Sequence, residues 1–401
     1  MSVQSPPPGT FWSRRRVLGG MAAATGLMLP QLSRAENTTA DGWTVIRVRP
    51  KEDAPTLQVN RGEELRVRLI NEEEYATALH WYGVRLPNAM DGVPGTTQAP
   101  VLKGASFDYR FTPPDAGTFW YGPPTVPGGL RYNGPSGALI VSESEPVAVD
   151  RDQLLFIGAI PEPNQLVTIP GRTGERLRLR LINAVARTAA ALRLEGHKVW
   201  VMAIDGQPAE PFVARDSRVV MGPGNRIDLF VDLDRPPGTV APIIADFGNG
   251  PAPLGRIAYS EEAPLRTGAL PDPKPLPANP LPERMDLRNA LRADLQLGGL
   301  ASLETFGSGR PLFSAKRGRT VVLALINRDA PACALHIHGH HVRLLDNLDD
   351  GWKPFWLDSI MVPGKQTSRV AFVADNPGKW LLEAQTIGRS EAFQVTWFEV
   401  S

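Results

Sequence analysis

The sequence predicts an all-β protein built from three tandem Greek-key β-sandwich domains. Three observations predict it. The 401-residue chain carries 39 prolines and 38 glycines, which punctuate it with turns. A strand motif then recurs three times: Gly62, Gly174 and Gly318 are each followed, seven residues on, by Leu69-Ile70-Asn71, Leu181-Ile182-Asn183 and Leu325-Ile326-Asn327. A second motif trails each copy. It reads Lys103-Gly104 before Phe107-Asp108-Tyr109-Arg110-Phe111, Pro223-Gly224 before Ile227-Asp228-Leu229-Phe230-Val231, and Pro363-Gly364 before Arg369-Val370-Ala371-Phe372. Two motifs recurring in one order argue for three copies of one sandwich unit rather than chance.

The N-terminal segment comes first. Ser13-Arg14-Arg15-Arg16-Val17-Leu18 precedes an apolar run from Gly19 to Leu29, and Ser33-Arg34-Ala35 offers small residues where a signal peptidase reads. This pattern predicts a twin-arginine export signal over 1–35, hence a periplasmic protein with no stable membrane span after cleavage. The competing reading is an uncleaved anchor, for which the apolar run is short. The full chain has a formal charge of +1, and 1–35 holds four arginines and no acid, so the mature charge is about −3. Neither value points to a nucleic-acid partner. A single cysteine excludes an internal disulfide.

The domains follow from the repeats: 36–145, 146–262 and 285–401. In the first two, Leu65-Arg66-Val67-Arg68-Leu69 and Leu177-Arg178-Leu179-Arg180-Leu181 alternate apolar and basic residues, which predicts half-buried strands. Between the last two domains, 263–284 holds seven prolines and reads as an extended, stiff linker.

The chemistry-bearing stretch lies in the third domain. Cys333 to His341 contains the only cysteine and four of the six histidines. His336 and His338, two apart, share a face if the stretch is a strand, and paired imidazoles suit copper, zinc, iron or nickel.

Leu335-His336-Ile337-His338-Gly339-His340 resembles the signature in the last domain of multicopper oxidases. The order of motifs extends the resemblance over the chain: His80-Trp81-Tyr82-Gly83, Asp91-Gly92, Gly117-Thr118-Phe119-Trp120-Tyr121, Asp205-Gly206-Gln207-Pro208 and Asp375-Asn376-Pro377-Gly378-Lys379-Trp380. The resemblance implies cupredoxin-like domains, with the first and third side by side so that His80 and His336 face each other. It also implies an electron-accepting blue copper, held by two histidines and a cysteine, beside a cluster of three coppers held by eight histidines.

Position by position, this chain departs from that ligand set. The resemblance places former cluster ligands at Tyr82, Gly122, Pro124, Glu383 and Gln385, and former blue-copper ligands at Cys333, Ala384 and Arg389. Its axial ligand falls near Gln394. Ten histidines are implied and the chain has six. His80, His336 and His338 remain. They read either as packed, hydrogen-bonded remnants with no cofactor, or as a site for one copper or zinc ion, for which two or three protein ligands are few. Cys333 reads as a small buried hydrophobe or as a soft-metal ligand. Glu383 and Arg389 are expected at former ligand positions in a buried pocket, where each charge needs a partner; the alternative is a rearranged loop with both solvated. His197, His340, His341, Trp81, Trp120 and Trp380 read as structural.

No other catalytic constellation is present, so no catalytic residue is assigned. One functional expectation is a periplasmic binding or scaffold protein, resembling the copper-free, twin-arginine-exported relatives linked to bacterial cell division, with an unidentified periplasmic protein as partner. The other is a copper-binding oxidoreductase or copper-handling protein with a mononuclear site at His80 and His336.

Overall fold

The computed structural model describes residues 27–28, 39, 41–50, 54–126, 130–162, 165–298, 309–329, 331–345, 352–389 and 393–401. Most of residues 1–35, where an export signal is expected, lies outside the described residues. Residues 27–28 form a short strand beside Phe156 and Ile157. Among the described residues, helix is confined to two single turns, at Asn88–Met90 and Arg215–Ser217, and no helix is long and apolar enough to cross a membrane.

Each repeat builds two packed sheets. In the first, Leu57–Asn60, Gly137–Ser142, Gly117–Gly122 and His80–Tyr82 form one sheet in that spatial order. Thr44–Val48, Leu65–Asn71 and Ser106–Phe111 form the other. The second repeat uses strands between Arg151 and Tyr259, and the third uses strands between Leu291 and Val400.

The two recurring sequence motifs are hydrogen-bonded neighbours. Leu65–Asn71 pairs antiparallel with Ser106–Phe111, Arg176–Asn183 with Arg226–Asp232, and Arg319–Asn327 with Gln366–Ala374. The glycines that open the motif sit in the left-handed region, with φ of 85°, 86° and 83° at Gly62, Gly174 and Gly318. A side chain is disfavoured there, and glycine is not. The closing asparagines are buried, and each caps a loop with its side chain. Asn71 Nδ2 donates to Tyr75 and Val101 carbonyls, Asn183 Nδ2 to those of Thr188 and Gly222, and Asn327 Nδ2 to those of Pro331 and Val362. An amide serves here because it satisfies buried carbonyls that would otherwise go unpaired.

One expectation fails in detail. Leu65–Asn71 alternates between buried and half-buried positions as predicted, but Arg176–Asn183 is buried along its whole length. Its arginine face is covered by the first sandwich. Arg180 donates to Thr118 Oγ1 at 2.9 Å, Thr118 in turn donates to Asp228, and Arg178 lies 2.6 Å from Asp228 Oδ2. Glu143 and Asp152 complete the pairing of the two guanidinium groups. Buried charge survives because every guanidinium has a carboxylate.

The first and third sandwiches share one continuous apolar core, from Ile46 and Trp81 through Leu335 and Trp380, while the second has its own. Residues 263–284 contain no strand or helix. Asn279 within them accepts from Ala116 N and donates to Gln207 Oε1, tying the first sandwich to the second.

Candidate metal centre

His80 lies on the sheet-edge strand His80–Tyr82 of the first sandwich, opposite Gly122. His336 lies on Cys333–Ile337 of the third, with Glu383 beside it on one neighbouring strand and Ser359 on the other. His338 follows the strand end by one residue. The shared core brings the three together. The Nε2 atoms of His80 and His336 are 3.0 Å apart, and the His80 and His338 rings stack at 3.9 Å. One nitrogen from each of the three can be chosen so that all lie within 4.8 Å of one another. All three side chains are buried.

The outer ring nitrogens are engaged. His80 Nδ1 donates to the Asp91 carbonyl at 2.8 Å, and His336 Nδ1 to the Asp358 carbonyl at 3.2 Å. His338 Nδ1 donates to Asp91 Oδ2 at 2.9 Å. A carbonyl only accepts, so in His80 and His336 the proton resides on Nδ1 and, in the neutral rings, Nε2 presents a lone pair. Two lone pairs at 3.0 Å repel unless a proton or a cation lies between them. Donation from the outer nitrogen to a carbonyl or carboxylate is how metal-binding histidines are oriented.

His338 Nε2 stands 3.3 Å from Glu383 Oε1. That is close enough for an ion pair, but the atoms are not aligned for a hydrogen bond, and both are buried with no other partner. Burial works against a charged His338, but Asp91 and Glu383 outweigh it and raise the imidazole to about 10. Burial holds His336 down at about 4. Burial also opposes ionisation of Asp91 and Glu383, but the histidines prevail and hold both carboxyls below their usual range. Two states are therefore consistent with this geometry. In one, Asp91, a charged His338 and Glu383 form a buried ion triplet. In the other, a cation takes the inner nitrogens. Ligands about 2.0–2.1 Å from a metal lie about 3–4 Å from each other, a spacing that the His80–His336 pair already meets at 3.0 Å.

The other sequence-predicted positions behave differently. Tyr82 stacks on Trp120 at 3.7 Å and fills the space beside His80 and His336. Pro124 is buried next to this strand pair. Ala384 is buried between Leu335 and Gln394 on its neighbouring strands and offers no donor atom. Cys333 Sγ faces Thr386 Oγ1 at 3.6 Å, and burial raises its thiol. Gln385 accepts from the Arg187 amide. The two readings divide between the two residues: Glu383 is buried, whereas Arg389 is exposed, as the rearranged-loop alternative has it. The turn at Gly388, φ 74°, carries it to the surface before its charge needs a partner.

Sequence reasoning missed the acids that organise the site. Asp91 joins His80 to His338. Asp358 flanks His336 at 3.2 Å and is itself held by Arg226 of the second sandwich, whose Nη1 donates at 2.9 Å. Asp205 accepts from the Asp358 and Ser359 amides. His197 has the structural role expected, with Nδ1 on the Glu195 carbonyl and Nε2 on Tyr259 Oη.

Three sandwiches, with imidazoles converging where the first meets the third, define a multidomain cupredoxin-like protein. Sequence profiles described as multicopper oxidase match residues 32–146, 110–250 and 277–387. The crystal structure of a multicopper oxidase from Pseudomonas thermotolerans is 30% identical, with a TM-score of 0.73, covering 86% of this chain and 91% of that one. That of Lac15 from a marine microbial metagenome is 29% identical, with a TM-score of 0.72, covering 89% and 98%. Multicopper oxidase MmcO of Mycobacterium tuberculosis is 25% identical over 82% of this chain and 77% of its own length. The chain belongs to the multicopper oxidase family.

Proposed function

We propose that the chain is an exported, periplasmic member of the family that acts through binding rather than oxidation. In this reading the blue copper and most of the three-copper cluster are gone, and one mononuclear metal site remains at His80, His336 and His338. The observation that carries it is the 3.0 Å approach of His80 and His336 Nε2, with both outer nitrogens held by main-chain carbonyls. The loss of oxidase chemistry rests on Ala384, which has no thiolate to accept electrons, and on the Cys333 thiol, which faces Thr386. A bound copper or zinc would supply Lewis acidity, and copper also a single redox couple. The twin-arginine motif supports the location.

The test is thermal unfolding of the chelator-treated protein with and without stoichiometric copper or zinc. An ion that binds only the folded state stabilises by mass action, about 2.7 kcal/mol at a hundredfold excess over Kd. Wild type should gain stability, while His80→Ala and His336→Ala should not.

A metal-free scaffold role in the cell envelope, with a protein partner, is the second reading. The Asp91–His338–Glu383 chain favours it, because such a triplet holds the junction together without an ion. An unchanged melting temperature in wild type would select it.

A further inference from the structure

We propose that Glu383 is a ligand, giving a mixed site of three imidazoles and one carboxylate that takes a borderline or hard divalent ion in preference to copper(I). The inference rests on the mononuclear reading above and extends it to a residue that is not a histidine.

Strand register carries the first part. Glu383 on Gly378–Thr386 lies directly across from His336, so its carboxylate reaches the histidine cluster from the neighbouring strand. It is 6% exposed. Its Oε1 and His338 Nε2 are 3.3 Å apart, neither makes a hydrogen bond, and both are buried. When His338 Nε2 carries no proton, these are two buried acceptors aimed at one point, which is costly. A cation between them would satisfy both.

Donor chemistry carries the second part. Carboxylate and imidazole favour zinc, copper(II) or iron(II), whereas copper(I) prefers thiolate and thioether. The one cysteine is turned to Thr386, so the site offers no thiolate. A cavity of about 30 Å³ adjoins it, lined by Tyr82, Trp120, His336, Glu383 and Gln385, with room for about one water as a further ligand.

The full-length protein, natively exported and freed of metal, is titrated separately with zinc, copper(II) and, without oxygen, copper(I). Bound ion per chain and melting temperature are read for wild type, Glu383→Gln and His80→Ala. Wild type should bind one zinc, Glu383→Gln should bind it roughly ten- to a hundredfold more weakly, by analogy with other changes around metal ligands, and His80→Ala should lose it. Copper(I) should stabilise less than zinc. Wild-type affinity in Glu383→Gln would overturn the role of Glu383 while leaving the histidine site standing. No binding by wild type would overturn both. Should Glu383→Gln fail to fold, a crystal structure of the zinc-loaded wild type decides. A Glu383 oxygen at about 2.0–2.2 Å from zinc supports the proposal, and one beyond about 3 Å defeats it.

Discussion

His80 and His336, 256 residues apart in sequence, meet nitrogen to nitrogen at 3.0 Å across the join of the first and third sandwiches. Neither sandwich makes this contact alone. The shared core that continues from Trp81 to Trp380 sets it, and Asp91 and Asp358 set the ring orientations.

The Asp91 carboxylate lies 3.2 Å from His80 Nδ1 and 2.9 Å from His338 Nδ1, so Asp91→Asn should loosen both. Metal affinity should fall about ten- to a hundredfold, as when other partners of metal ligands are removed. Calorimetric titration with zinc checks this. An unchanged affinity would mean that the His80–carbonyl contact suffices.

Asp228 answers two buried arginines. Burial opposes its charge, but Arg178 and Arg180 outweigh that and hold its carboxyl below the usual range. Breaking a buried pair costs about 3–5 kcal/mol. Asp228→Asn should fall near the lower end, about 3 kcal/mol, because Arg178 keeps Glu143 and Arg180 keeps Asp152. Denaturant unfolding at neutral pH measures it.

His197 gives a pH signature. Burial depresses its pKa in the fold, while the unfolded chain protonates near about 6.5. The unfolded state then binds more protons as pH falls below that value. The stability that His197 contributes at neutral pH is lost as pH drops from about 6.5 through the depressed folded value. Replacing His197 with Gln should flatten the stability profile in that window. Parallel wild-type and variant profiles would count against it.

The proposed export motif is testable apart from the metal. Replacing Arg14 and Arg15 with Lys should block export, because the motif is read as an address. Normal periplasmic accumulation of the double variant would show another route.

The sandwich repeat was legible because its punctuation is local. A left-handed glycine opens each copy and a loop-capping asparagine closes it, both within one strand's length. The His80–His336 pair was legible only through the family resemblance. Asp91 and Asp358 were not marked out as site residues, since each is a single acid in or beside a loop. Asp91 meets His338 across 247 residues. Arg176–Asn183 was expected to be half-buried, and is buried along its whole length, for a related reason. Alternation reports that a strand has two faces, but not that another domain covers the second. Arg389 was misplaced because a position carried over by resemblance takes no account of the local turn at Gly388.

The ratio of bound metal to chain in natively exported protein, with its visible spectrum, tests the central reading most directly. One ion per chain, no intense blue band, and loss of the ion in His336→Ala are the expected results. An intense blue band from a cysteine–copper bond, or several coppers per chain, would contradict it.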